Sequence, residues 1–276
     1  MNKKKADKHG TPKDSHYARL RRAHREQNKP VERMQADDGT VRLYGLHTVR
    51  EALLNPKRRK RRLLVTRNAW QRLDLAPSSL GELAVEQVDP RDIDAIVSAD
   101  AVHQGVCLEA DALTPQPLSK LVETSLLLVL DQVTDPHNVG AIMRSAVAFG
   151  AGALITTNRH SPTESGVLAK AASGALEHID HITVRNLAEA LEELKSLGFQ
   201  TVGLDSDGPE PLESTFGEGR IALVLGAEGK GLRQKTRLTV DALARLDVPG
   251  AIRSLNVSNA TAIALYAAHR HLTTKD

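Results

Sequence analysis

From residue 118 to the C-terminus, short apolar runs alternate with segments whose apolar residues recur at helical spacing. The strand-like runs lie at residues 126–130, 153–156, 182–184, 201–204 and 221–225, and helical patterns occupy 139–149, 166–176 and 187–197 between them. Such alternation predicts a mainly parallel sheet with helices on both faces, an α/β architecture. Ahead of it, residues 41–111 carry a smaller pattern, with strands expected at 62–65 and 105–108 and a helix at 47–54. Residues 112–120, which include Pro115 and Pro117, read as a linker between the two.

Three polar blocks interrupt the second region, each where a strand ends or a helix begins. They are DPHNVGAIMRS (Asp135 to Ser145), LGAEGKGL (Leu225 to Leu232) and RSLNVSNA (Arg253 to Ala260). In an open α/β sheet such junctions gather at one edge, which is where ligands bind. In the first block Val139, Ile142, Met143, Ala146 and Phe149 recur at helical spacing and leave Arg144 on the polar side. The second places glycines around Glu228, so that backbone N–H groups can approach a ligand closely. It is not a P-loop, because it lacks the four-residue spacer and the Ser or Thr after Lys230. The third sets Ser254, Asn256 and Ser258 at the entrance to a helix that includes Ala260, Ile263, Ala264 and Ala267. Asn138, Ser254 and Asn256 are also residue types that cap helices, and capping is their common use.

Charge is distributed unevenly. Through Val41 the chain holds eleven Lys and Arg against six Asp and Glu, whereas the whole chain holds 37 against 34, so the positive excess belongs to the N-terminal arm. Residues 1–40, poor in apolar side chains, are expected to be a disordered basic arm suited to phosphates. A second run, KRRKRR from Lys57 to Arg62, repels itself unless it is solvated or meets anions, and RNA is the favoured partner on sequence grounds. With aromatic residues at 3%, stacking over an aromatic platform is not the expected mode of recognition. The single cysteine, Cys107, excludes an internal disulfide framework. The histidines are scattered and no metal-ligand spacing is present. No apolar stretch reaches membrane-spanning length, and MNKKKADKHG is followed by no apolar core of a signal peptide, so a cytoplasmic protein is expected.

Taken together, the blocks resemble the three motifs of the SpoU (TrmH-like) branch of the SPOUT RNA 2′-O-methyltransferases. YGLHTVREAL (Tyr44 to Leu53) and HQGV (His103 to Val106) resemble the substrate-binding domain of that family, related in fold to ribosomal protein L30e. AKAASGALEHI (Ala169 to Ile179) is similar as well, so the likeness extends over residues 42–273. The resemblance implies an L30e-like RNA-binding domain at 41–111, the linker at 112–120, and at 121–276 a SPOUT catalytic domain whose parallel sheet carries a deep trefoil knot. It implies S-adenosylmethionine as cofactor and methylation of a ribose 2′-hydroxyl. The nearest likeness is to members that methylate a guanosine of 23S rRNA; tRNA ribose methylation and a non-catalytic RNA-binding relative are the alternatives. Carried over by position, the catalytic set is Asn138, Arg144, Glu228, Ser254 and Asn256, with Arg144 against the 2′-hydroxyl. Gly226, Val248 and Leu255 would contact the cofactor. The GAIR stretch between Pro249 and Ser254 is shorter than is usual in the family, which leaves Leu246 as the alternative to Val248. A homodimer is also implied, each pocket bordered by the partner subunit.

Overall fold

The structure is a computed structural model that describes residues 39–98, 100–251 and 254–274. The basic arm expected at residues 1–40 lies outside these residues, apart from its last two positions, as does Arg253. The N-terminal part runs β1 (Thr40–Tyr44), α1 (Leu46–Leu54), β2 (Lys60–Val65), α2 (Arg67–Leu73), β3 (Ala84–Gln87), α3 (Pro90–Val97) and β4 (Val106–Asp111). Its strands form a sheet of order β1-β4-β2-β3, in which β4 runs antiparallel to both neighbours and β3 parallel to β2. Local chemistry sets the short helices. Thr66 caps α2 by accepting a hydrogen bond from the Ala69 N–H at 3.2 Å, and Asp89 opens α3 in a capping box with Asp92.

The second part runs β5 (Leu126–Asp131), α4 (Pro136–Ala148), β6 (Ala153–Thr157), α5 (Gly166–Ala172), β7 (Asp180–Val184), α6 (Leu187–Ser196), β8 (Phe199–Leu204), β9 (Glu210–Pro211), α7 (Leu212–Thr215), β10 (Arg220–Gly226), α8 (Gln234–Thr239), β11 (Ala242–Arg245) and α9 (Val257–Thr273). The sheet order is β7-β6-β5-β10-β8-β11-β9, and every pairing in it is parallel. β10 therefore sits at the centre, between β5 and β8. Both β5 and the interior of β10 are buried throughout, the pattern of strands covered on two faces. Two helix boundaries differ from the sequence reading. α4 begins at Pro136, whose missing N–H costs nothing in a first turn. α5 stops at Ala172, because Ser173 and Gly174 both take left-handed backbone angles and turn the chain into a single 3₁₀ turn.

The core is continuous across the two parts. One apolar cluster joins Leu43, Leu63 and Leu108 of the small sheet to Leu128, Ile142, Leu168 and Leu265. A second, with Leu127, Val129, Ile155, Leu191 and Val224, fills the opposite face of the large sheet. At the seam, the Arg58 side chain is wholly buried. It pairs with Glu164 and with Glu177 at 2.5 Å each and donates to the Asp111 carbonyl at 3.0 Å. Of the Lys57–Arg62 run read as a contact surface for RNA, the structure removes Arg58 from that surface. Arg58 serves the interior, Arg62 pairs with Glu109 and Glu86, and Arg61 pairs with Asp111. Lys57 and Arg59, more than three-quarters exposed at 80% and 83%, keep their charges in solvent.

Candidate active site

The site is built from the ends of β5 and β10 and the starts of α4 and α9. β5 closes on Asp131, a fully buried carboxylate that lies in register with Gly226 at the end of β10. One Asp131 oxygen accepts from the Arg233 backbone N–H at 3.0 Å and from the Thr236 hydroxyl at 2.7 Å; the other takes the Arg233 guanidinium at 2.6 Å. These bonds satisfy the buried charge and fix the chain immediately beyond the glycine-rich block. Within that block the Gly231 N–H donates to the Ala227 carbonyl at 2.8 Å, while Gly229 and Gly231 have φ of 75° and 62°. A Cβ on Gly226 would stand 2.1 Å from the Gly231 carbonyl carbon, so the turn folds back against the strand end where only glycine fits.

α4 and α9 start side by side. Asp135, not Asn138, caps α4, by accepting from the His137 N–H at 3.0 Å. Asn138 is thereby left available, and its Oδ1 accepts from Asn256 Nδ2 at 3.1 Å. Asn256 also caps α9, its Oδ1 taking the Ser258 N–H at 2.8 Å and the Ser258 hydroxyl at 2.6 Å. Further along, the Phe149 ring meets Tyr266 edge-on with centroids 6.0 Å apart. The two helices therefore run in the same direction and present both positive ends at the carboxyl edge of the sheet.

Of the residues singled out from the sequence, the structure hydrogen-bonds Asn138 to Asn256. Gly226 lies at the end of the neighbouring strand, and Val248 and Leu246 are half-buried on the segment after β11. Arg144, Glu228, Ser254 and Leu255 are exposed, and among the described residues Arg144, Glu228 and Ser254 make no hydrogen bond or ion pair with one another. Six positions separate Arg144 from Asn138, which sets it about 9 Å down the axis of α4 and on a different side of the helix. Among the described residues its guanidinium has no carboxylate partner, which leaves N–H donors to offer an incoming oxygen. Sequence reasoning missed Asp131, Arg233 and Thr236. The available signal was a carboxylate ending the otherwise apolar LLLVLD strand, since a charge at such a place needs partners. The α9 stripe also differs from expectation: Val257, Thr261, Ala264, Leu265 and Ala268 are buried, whereas Ile263 is 46% exposed.

Comparison with known proteins matches residues 125–266 to the SpoU rRNA Methylase family and residues 42–116 to RNA 2′-O ribose methyltransferase substrate binding. The 23S rRNA (guanosine-2′-O-)-methyltransferase RlmB of Pseudomonas putida is 38% identical over 245 residues, which cover 85% of this chain and 98% of that protein. The enzyme of the same name from Pseudomonas aeruginosa is 41% identical over 247 residues, covering 84% and 97%. Among solved structures, the SpoU methyltransferase AviRb from Streptomyces viridochromogenes in complex with the cofactor AdoMet superposes with a TM-score of 0.71. It is 21% identical, over 86% of this chain and 91% of that one, a likeness of fold.

Proposed function

Because this chain belongs to the SpoU rRNA methylase family, we propose that it methylates the ribose 2′-hydroxyl of a guanosine in 23S rRNA, with S-adenosylmethionine as methyl donor. The observation that carries this reading is the near full-length likeness, at 38% and 41% identity, to two enzymes named for that reaction. In this reading residues 41–111 bind RNA, residues 112–120 connect, and residues 121–276 catalyse.

The residues present fit the cofactor. Gly226, tight against the turn that follows it, presents backbone where a side chain would intrude. Leu255, 37% exposed, and half-buried Val248 and Leu246 offer apolar surface for an adenine ring. When bound, S-adenosylmethionine supplies an electrophilic methyl group. The protein's part is to hold a weak nucleophile in line and to stabilise the negative charge that develops on the ribose oxygen. Arg144 carries the second task, because a guanidinium keeps its proton and offers several donors in a fixed plane. The Asn138–Asn256 pair orients polar groups at the helix starts, with Glu228 and Ser254 completing the polar lining. Each pocket is bordered by a second subunit: Ile263 and Tyr266 on the outer side of α9, at 46% and 55% exposure, form the apolar stripe that dimerisation would cover. Among the described residues no helix is long and apolar enough to cross a membrane.

The test is methyl transfer from tritiated S-adenosylmethionine to separate pools of 23S rRNA and tRNA, followed by digestion to nucleosides. Label recovered as 2′-O-methylguanosine from rRNA is expected. Label confined to tRNA, or none, would reject the assignment. Sedimentation at micromolar concentration tests the dimer, and an active monomer would contradict it.

A further inference from the structure

A cleft of about 610 Å³ opens at the seam between the small sheet and the large one, lined by none of the residues placed above in the methyl-transfer site. Its floor is apolar, formed by Met143 of α4, Leu168 of α5 and Leu176, each nearly inaccessible to solvent. Its walls are mostly uncharged and polar. Thr157, at the end of β6, is 5% exposed, and its buried hydroxyl has no hydrogen-bond partner among the described residues; the Ser161 hydroxyl on the following loop is in the same state. Of the three carboxylates that border the cleft, Glu164 and Glu177 are occupied by Arg58, and the third is Asp180. Thr156 Oγ1 and His181 Nε2 lie 2.8 Å apart on the strands behind it, and burial holds that imidazole neutral by pushing its pKa down to about 4. At the mouth the Lys57 ammonium, 80% exposed, stands 3.9 Å from Asp180.

We propose that this cleft is a nucleoside-binding site that takes one base with its ribose, the base over the apolar floor and its edge toward the Thr157 and Ser161 hydroxyls. The size falls in the range of small-ligand sites, roughly 300–1,000 Å³. A flat uncharged ring suits a floor of Met and Leu, and hydroxyls that both donate and accept suit the mixed edge of a base. The compensated charges of Arg58, Glu164 and Glu177 disfavour an anion inside, whereas Lys57 at the mouth can meet a phosphate that stays in solvent. This inference rests on reading the chain as an RNA methylase, for which an unstacked nucleotide is a natural occupant; a free nucleoside offers the same chemistry.

The experiment uses the full chain saturated with S-adenosylmethionine, so that the methyl-donor pocket is filled. In one arm guanosine, adenosine, uridine and cytidine are titrated and followed by saturation-transfer NMR. In the other, binding of a 23S rRNA fragment is compared between wild type and Ser161→Phe, which fills the cleft, and thiolated bases in the fragment are crosslinked and mapped. Loss of one enclosed base contact should weaken binding about tenfold. Should Ser161→Phe fail to fold, Thr157→Val and Ser161→Ala remove the hydroxyls with little change of volume and report the same effect. Weakened rRNA binding with crosslinks at residues 156–164 supports the site with RNA as source; nucleoside binding lost in the variants while rRNA affinity holds supports a free nucleoside. Wild-type behaviour of the folded variants in both arms overturns the proposal. Wild-type protein that binds neither S-adenosylmethionine nor rRNA overturns the functional reading itself, and the site with it.

Discussion

Under the proposed function Arg144 is the residue assigned to stabilise the developing charge, and its surroundings bear on that assignment. No carboxylate competes for its guanidinium among the described residues, which suits the proposed task of orienting and electrostatically stabilising the ribose oxygen. Arg144→Ala should reduce single-turnover methyl transfer about 100- to 1,000-fold, the usual effect of deleting a charge-stabilising donor, while S-adenosylmethionine affinity measured by calorimetry stays within about twofold; loss of less than about tenfold would reject the role. Asn256 has two tasks that substitution can separate. Asn256→Asp retains the acceptor that caps α9 but loses the Nδ2 donor to Asn138, so turnover should fall with little change in melting temperature; Asn256→Ala should in addition destabilise by about 1 kcal/mol. His181 gives a pH signature. Its pKa is pushed from 6.5 down to about 4 by burial, so the unfolded chain takes up a proton before the folded one does. The stability it contributes is complete above pH 6.5 and is lost as the pH falls through about 4, by up to roughly 3 kcal/mol. In His181→Gln, denaturant unfolding between those pH values should show a shallower acid decline; an unchanged slope would refute the assignment. The polar blocks carrying Asn138, Arg144 and Asn256 were legible because side-chain chemistry stands out against apolar runs. The partners of Arg58 were not, since Glu164 and Glu177 lie 106 and 119 residues away and only the folded chain brings them near.

At the level of elements, the alternation after residue 118 translated directly into β5, β6, β8 and β10, because buried parallel strands must be apolar on both faces, and into edge strand β7, which is buried only at Ile182. Among the elements that escaped sequence reading, β1 is buried at four of its five positions but is too short and too close to the N-terminal arm to stand out, whereas the others are only partly buried. β3 is exposed at all its positions, and β11 is buried at only one of them, so neither leaves a hydrophobic signature. α2 and α3 owe their ends to the caps at Thr66 and Asp89 as much as to periodicity. Contact between α4 and α5 illustrates a constraint that pattern cannot express. A Cβ at Gly140 would lie 2.5 Å from the Leu168 carbonyl oxygen and 2.9 Å from the Ala172 nitrogen, both backbone atoms that cannot turn aside. Alanine would gain about 1 kcal/mol of helix propensity at that position, but forcing the two helices apart costs about 1–3 kcal/mol. The clash should win. Gly140→Ala is expected to lower the melting temperature, and a variant as stable as wild type would mean that α5 moves freely on α4.

For the whole molecule, strand order and threading are properties of the path rather than of any local run, so the central place of β10 between β5 and β8 came into view only in the folded chain. The joint between the small sheet and the large one is likewise a global feature, centred on one cation. Arg58 is fully buried, with Glu164 at 9% and Glu177 at 2% side-chain exposure. Glu177 also accepts from Asn55 Nδ2 at 2.7 Å, and Glu164 from the Leu113 N–H at 2.7 Å, so both carboxylates grip the N-terminal part of the chain. Removing a buried partner leaves uncompensated charge, whereas removing the whole set can be nearly neutral. Arg58→Met should therefore destabilise the protein by about 3–5 kcal/mol, the range for breaking such a pair. Adding Glu164→Gln and Glu177→Gln should restore much of that loss, because the amides need no cation. Chemical denaturation of the single and triple variants checks the sign. If the triple variant is less stable than Arg58→Met, uncompensated charge is not the cause, and the seam is held instead by the geometry of the hydrogen bonds that Arg58 donates.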